Sequence, residues 1–186
     1  MTAAPGGLLV AVCGLEPGAG TTLLAGLLAG SERARRDESV VLLSSVGSDA
    51  ELVSATAAQA LVVADCGRLG SAAARIALGM ATHVVWTVPA GAAAGETARA
   101  LLLEGALAPP PGAAPELLAV VATRRKEIPP DGHRACRQVV AERGERLVYV
   151  PHVRGLAGGR VPRATPRRLT PAIAAIAALL RREPPP

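Results

Sequence analysis

The chain has 186 residues, a formal net charge of +5, half of its residues hydrophobic, and no phenylalanine. This length suits one α/β domain that buries about two-thirds of its unfolded surface around an aliphatic core. The composition disfavours nucleic acid as a partner, because the arginines lack interleaved aromatic residues, and no apolar run reaches about 18 residues, which argues against a membrane span.

Apolar runs and helical spacing alternate along the chain. Strands are predicted at residues 8–13, 39–45, 60–65, 82–88, 117–123 and 146–150. Helices are predicted at residues 21–35, 51–59, 71–80, 95–107 and 133–143, and a last helix begins with Thr170 as N-cap and Pro171 as its first helical residue. Proline-rich or glycine-rich loops are predicted at residues 108–115 and 152–169.

This alternation predicts an α/β fold, a three-layer doubly wound and mostly parallel sheet with helices on both faces. We expect a single domain at residues 8–182, between a flexible lead-in at 1–7 and a proline tail at 183–186. No basic flank precedes the first apolar run, so no signal peptide is predicted and a cytoplasmic protein is expected. The three cysteines have no C-x-x-C spacing, which argues against a zinc site or a disulfide framework.

A glycine-rich turn, Gly14-Leu-Glu-Pro-Gly-Ala-Gly-Thr-Thr22, joins the first strand to the first helix. A strand, a glycine-rich loop and a helix in this order are typical of a P-loop, whose backbone N–H groups and helix N-terminus bind phosphate. When Gly20 is taken as the second glycine of G-x-x-x-x-G-K-[ST], Leu15 replaces the first glycine and Thr21 replaces the lysine. The turn therefore either binds an anion or is kept only for tight packing of strand against helix.

Ligands of open parallel sheets bind at the C-terminal ends of the strands. Asp65 follows the third strand, where it could hold Mg²⁺ through water together with Thr22, cap a helix, or pair with Arg68. If phosphate binds the loop, arginines such as Arg68 or Arg154 would have to supply the cation. Two further predictions concern isolated side chains: Cys13 and Cys66 are expected to be buried thiols rather than a redox pair, and the three histidines are expected in surface or loop positions.

The order of these features resembles the MinD/ParA class of P-loop ATPases, and within it the pilus-assembly localisers of the CpaE/TadZ kind. Its loop K-G-G-x-G-K-[ST]-[ST] aligns with Glu16 on the signature lysine, Pro17 and Gly18 on the glycine pair, Ala19 on x, Gly20 on the last glycine, Thr21 on the P-loop lysine and Thr22 on the Mg²⁺-binding hydroxyl. Several CpaE/TadZ-like proteins also carry threonine at the P-loop lysine.

The resemblance extends along the chain. Residues 61–65 resemble the strand that ends in the Walker B aspartate, residues 120–124 resemble the V-V-x-N-R strand that touches adenine, and residues 148–152 resemble the I-P-x-D segment. The resemblance implies ATP or ADP with Mg²⁺, with Thr22 and Asp65 at the metal. The nucleotide-binding residues it implies are Gly14, Glu16, Pro17, Gly18, Ala19, Gly20, Thr21, Thr22, Thr123, Arg124 and Pro151.

Three departures from the class point to lost catalysis. Both phosphate-neutralising lysines are absent, and Glu16 adds a negative charge. Ser44 and Ser45 stand where the class has an acidic residue that positions water. Only about fifteen residues separate the second and third strands, so a helix and part of the class's dimer surface are missing.

The function predicted from these observations is a nucleotide-binding regulator with weak or absent ATP hydrolysis. It would dock a protein partner of a larger assembly, with a homodimer as one form that the resemblance allows. The alternative is a pseudo-ATPase scaffold that binds no nucleotide and serves as an interaction module. A ligase of the dethiobiotin-synthetase kind is disfavoured by the missing lysine, and the arginine-rich segment 160–168 is where an acidic partner would be sought.

Overall fold

A parallel sheet forms the centre of the protein. The computed structural model describes residues 7–35, 39–44, 46–91, 93–104, 116–122, 130–143, 146–153, 165–178 and 180. The strands in these ranges are β1 (Leu8–Gly14), β2 (Val40–Leu43), β3 (Leu61–Arg68), β4 (His83–Pro89), β5 (Glu116–Val121) and β6 (Arg146–Val150). The helices there are α1 (Thr21–Arg33), α2 (Asp49–Ala58), α3 (Ala72–Met80), α4 (Ala94–Ala98), α5 (Pro130–Arg143) and α6 (Thr170–Ala177), and a π-helical segment (Arg99–Glu104) continues α4.

The strand order is β2-β3-β1-β4-β5-β6, and each neighbouring pair is parallel. β1 lies between β3 and β4, which suits its run of apolar residues, because a central parallel strand is covered on both faces. After β1 the chain forms β2 and β3 on one side of β1, and it then crosses to form β4, β5 and β6 on the other side. A crevice therefore opens at the C-terminal end of β1, the place where such sheets bind ligands.

Two apolar cores lie on opposite faces of the sheet. α1 and α6 cover one face, where Leu24, Leu28 and Ile173 pack on Val10 and Val12 of β1. α3, α4, α5 and Leu52 of α2 cover the other face. Burying one leucine or isoleucine side chain contributes about 1.5–3 kcal/mol, so an aliphatic core without phenylalanine is sufficient. The predicted α/β fold, with a parallel sheet and helices on both faces, is confirmed.

Several element boundaries differ from those predicted. β3 continues to Arg68 rather than stopping at residue 65. α2 begins at Asp49 rather than at residue 51, because the Ser48 hydroxyl caps the helix by accepting a hydrogen bond from the backbone N–H of Glu51. The helix predicted at 95–107 is a short α4 followed by the π-helical segment.

The prediction of Thr170 as an N-cap is wrong. Leu169 occupies the N-cap position, and Thr170 is the first helical residue, with its hydroxyl directed to the carbonyl of Pro166. Leu169 is buried among the apolar residues beneath α6 and makes no side-chain cap.

Some predictions lie outside the described residues. These are the lead-in at 1–6, Ser45, the loop at 108–115, Thr123, Arg124, Arg154, the segment 160–164 and the tail at 183–186. Within the described ranges, the helices are too short or too polar to cross a membrane.

The three cysteines are free thiols at buried positions, which confirms the prediction for Cys13 and Cys66. A hydrogen bond with the Cys66 thiol, followed by burial and by the charges of Cys66 and Asp65, raises the pKa of Cys13 well above its ordinary value. Burial raises the pKa of Cys136 to about 11. Raised pKa values keep thiols protonated, and only the thiolate is nucleophilic.

We expect the native protein to release almost no thiolate from an aromatic disulfide reagent at pH 8, whereas unfolding in guanidinium should expose all three cysteines. The raised pKa of Cys136 also implies that moving to pH 9 leaves this thiol mostly protonated in the folded chain. The absorbance of the thiolate released from the reagent measures how many cysteines react in the folded and in the unfolded chain. A native thiol that reacts within seconds would contradict this burial.

Candidate functional site

A cleft of about 460 Å³ opens at the C-terminal ends of β1, β3, β5 and β6. Its floor is the glycine-rich turn after β1 and the first turn of α1. The described residues that line it are Glu16, Pro17, Gly18, Ala19, Gly20, Thr21, Thr22, Leu23, Gly67, Arg68, Val121, Ala122, Val150, Pro151, His152, Val153 and Leu169. The predicted site residues from Glu16 to Thr22, and Pro151, therefore lie together in one cleft.

The turn leaves the N-terminus of α1 without a side-chain cap. Gly18 and Gly20 have φ values of 75° and 76°, a left-handed conformation that glycine adopts without strain. Gly20 is the N-cap residue of α1 and has no side chain to cap the helix, whereas serine hydroxyls cap α2 and α3. The N–H groups of the first turn are thus available to an anion, and the helix dipole favours one.

The underside of the turn is fixed by threonine hydroxyls. Thr21, at the position of the P-loop lysine, is buried, and its Oγ1 lies 3.0 Å from Oγ1 of Thr87 on β4. Thr87 also donates to the carbonyl of Cys13 at 3.4 Å, while its own carbonyl accepts from the N–H of Leu15 at 2.8 Å. Thr21 consequently links the turn to the sheet and supplies no positive charge.

Glu16, which stands at the signature-lysine position, is directed to α4. Its carboxylate accepts a hydrogen bond from the hydroxyl of Thr97. The side chain is half-buried and also lines the cleft. This contact holds a negative charge beside the turn, at one side of the cleft.

Asp65 adopts neither of the two structural roles that the sequence left open, which were capping a helix and pairing with Arg68. Its Oδ1 accepts a hydrogen bond from the backbone N–H of Gly67 at 3.0 Å, and Ser71 rather than Asp65 caps α3. Among the described residues Asp65 forms no ion pair with Arg68. Asp65 is buried, so its carboxylate is held by the loop that follows β3.

The described side chains supply little for a magnesium ion beyond the Thr22 hydroxyl. Thr22 lines the cleft, but Asp65 is not among the described lining residues, and one of its oxygens is engaged by Gly67. Glu16 supplies the carboxylate in the described lining, and Thr97 contacts it. In the part of the chain that the structure describes, no three carboxylate, histidine or cysteine side chains cluster as a metal site.

The opposite end of the cleft is apolar. Val121, Ala122, Val150, Val153 and Leu169 form a wall above the ends of β5 and β6. Backbone carbonyls and N–H groups at strand ends, next to an apolar wall, are suited to a flat heterocycle. Thr123 and Arg124, predicted at this end, lie outside the described residues.

Sequence reasoning missed some residues of the site. His152 lines the cleft from its predicted loop position, whereas His83 is fully buried in β4, so its predicted surface or loop position is wrong. His83 lies at the start of β4, between β1 and β5, with its Nδ1 at 3.0 Å from Thr82 Oγ1. Sequence reasoning also missed Thr87 as a partner of the turn. A hydroxyl within the otherwise apolar run 82–88 indicates a buried hydrogen bond and could have pointed to it.

The described lining of the cleft lacks the charged side chains that phosphoryl transfer needs. That reaction depends on positioning and on neutralising charge that develops on the phosphoryl oxygens. Neither Thr21 nor Glu16 provides such neutralisation. Arg68 is the fixed cation among the described lining residues.

Comparisons with known proteins agree with this architecture. No protein-family model matches the chain, and no curated protein matches it either. Among solved structures, the chain is similar to a MinD cell division protein from Aquifex aeolicus, with a TM-score of 0.62, 14% sequence identity, and coverage of 95% of this chain and 98% of that one. The chain therefore has a MinD-like parallel α/β fold over nearly its whole length.

Proposed function

We propose that the protein is a nucleotide-binding regulator that binds ATP or ADP weakly, hydrolyses it slowly or not at all, and docks a protein partner. The observation that carries this proposal is the cleft itself. It joins the uncapped N-terminus of α1 to an apolar wall at the ends of β5 and β6. A phosphate at the first end and a base at the second would both find suitable surroundings.

The regulatory part of the proposal rests on the fold and on the absence of a lysine from the turn. Thr21 and Glu16 replace the charges that a hydrolase needs, so the bound nucleotide would act by changing the surface offered to a partner. The similar solved structure is that of a cell division protein. A positioning role for this chain, as a monomer or a homodimer, is part of this proposal.

The second candidate, a scaffold that binds no nucleotide, is favoured by one specific observation. The hydroxyl of Thr21 and the carboxylate of Glu16 are both satisfied by contacts inside the protein, to Thr87 and Thr97. The turn is thus held in place by its own chain and needs no ligand to order it.

Titration with a fluorescent ATP or ADP analogue distinguishes the two candidates. We expect saturable binding in the micromolar to millimolar range, displaced by unlabelled nucleotide, and phosphate release no faster than the buffer background because no lysine neutralises the phosphates. Fluorescence anisotropy measures the binding, and a phosphate-release assay measures hydrolysis. Absence of binding up to millimolar nucleotide would leave the scaffold, and rapid hydrolysis would contradict the assignment of an attenuated site.

A further inference from the structure

The strand β3 contains one extra residue beside β1. Val12 of β1 is paired with Asp65, whereas Gly14, two residues later, is paired with Arg68, three residues later. Gly67 lies within this irregular stretch and has a φ of 61°. One inserted residue with a glycine in the left-handed region is a β-bulge, a feature that re-aims the side chains that follow it.

The bulge decides which face of the sheet Arg68 occupies. Val12 belongs to the core beneath α1 and α6, and its partner Asp65 shares that face. In a regular strand residue 68 would lie on the opposite face from residue 65, because side chains alternate. The extra residue returns Arg68 to the α1 side, next to Gly14 at the start of the turn, and there it lines the cleft.

The backbone around Arg68 is firmly held. The N–H of Leu69 donates to the carbonyl of Gly14 at 2.8 Å, and the N–H of Ser71 donates to the carbonyl of Arg68 at 3.1 Å. The Ser71 hydroxyl donates to the carbonyl of Cys66 at 3.0 Å. The exposed Arg68 side chain thus projects from a fixed base, and within the described residues no ion pair engages its guanidinium.

Arg68 and the apolar wall lie at opposite ends of the cleft. In the sheet order, β3 and β6 are separated by β1, β4 and β5. Four steps of about 4.8 Å between strands give roughly 19 Å from one end to the other. A base on the β5 and β6 wall, with its phosphates over the turn, would extend its last phosphate toward Arg68.

We propose that Arg68 binds the terminal phosphate of a nucleoside diphosphate, and that this binding needs no Mg²⁺. The inference rests on the proposed nucleotide site and specifies its ligand. A guanidinium offers planar, paired N–H donors that match phosphate oxygens. Asp65 lies outside the described lining and Glu16 adds negative charge, so one arginine with the backbone N–H groups suits two phosphates better than three.

The test compares AMP, ADP and ATP by isothermal titration, in Mg²⁺ and in EDTA, for the wild-type chain, Arg68→Gln and Arg75→Gln. Arg75 is an exposed α3 residue outside the described cleft lining and serves as the matched control. We expect ADP to bind equally well in Mg²⁺ and EDTA and more tightly than ATP. Arg68→Gln should weaken ADP binding about 10- to 100-fold, the usual value of a hydrogen bond to a charged group, and leave AMP binding unchanged.

Each other outcome has a definite meaning. This inference is overturned, and the proposed nucleotide site stands, if ADP binds Arg68→Gln as tightly as it binds the wild-type chain. The same holds if EDTA abolishes ADP binding. Equal weakening by Arg75→Gln also overturns it, because a general loss of positive charge would then explain the effect. If no nucleotide binds the wild-type chain, the proposed function fails first and this inference fails with it.

Discussion

Gly95→Ala should lower the free energy of unfolding by about 3 kcal/mol, at the upper end of the cost of overpacking. A Cβ at Gly95 would lie 2.1 Å from Cβ of Ala135 and 3.1 Å from its Cα. The second atom belongs to the backbone of α5, so a change of rotamer cannot relieve the collision. α4 would have to move away from α5, which opens the core on that face of the sheet.

Two matched variants isolate this contact. Gly79→Ala, in α3, places a methyl group where nothing lies within 4 Å, and it should keep or raise stability because alanine is the better helix former by about 1 kcal/mol. The double variant Gly95→Ala/Ala135→Gly moves the methyl group to the other helix and should recover part of the loss. Urea unfolding, followed by the fluorescence of the single tryptophan, Trp86, measures all three. An unchanged midpoint for Gly95→Ala would show that the two helices are not in such close contact.

Gly20→Val is expected to weaken nucleotide binding at least about 100-fold, the equivalent of some 2.7 kcal/mol. Gly20 has a φ of +76°, and a Cβ there would lie 2.9 Å from Cγ1 of Val121. Strain and collision act together to shift the turn away from β5. The N–H groups at the start of α1 would then no longer converge on one phosphate.

Gly70→Val is the control for backbone strain. Gly70 has a φ of +85°, a Cβ there would meet nothing within 4 Å, and it is not among the described residues of the cleft. This variant should lose about 1–2 kcal/mol of stability from the left-handed backbone and still bind AMP as the wild-type chain does, because the turn around Gly70 holds Arg68, which AMP does not need. Anisotropy titration measures binding, and urea unfolding measures stability. Wild-type affinity in Gly20→Val would show that the nucleotide lies elsewhere.

The layered fold was predictable because it depends on local patterns. Apolar runs such as residues 8–13 and 60–65 identify buried strands, and leucines at helical spacing after Gly20 identify α1. The position of the glycine-rich turn between β1 and α1 could be read from the same stretch of sequence. These features need no knowledge of which strands are neighbours.

The side-chain contacts within the site could not be predicted in this way, because they depend on which strands are neighbours in the sheet. Thr21 and Thr87 are 66 residues apart and meet only because β1 and β4 are adjacent. Glu16 and Thr97 are separated by 81 residues. The side of the sheet on which Arg68 lies depends on a single inserted residue in β3, and a bulge changes no apolar pattern that a sequence reader could count.

The hydrogen bond between Thr21 and Thr87 also bears on which side chains position 21 can accept. A lysine at position 21 could extend into the cleft, but it would leave the buried Thr87 hydroxyl with its 3.4 Å contact to the Cys13 carbonyl. A buried hydroxyl left with no partner costs about 1–3 kcal/mol, which is the upper limit for this loss. Thr21→Lys is therefore expected to cost stability unless position 87 changes as well, so the two threonines behave as one unit.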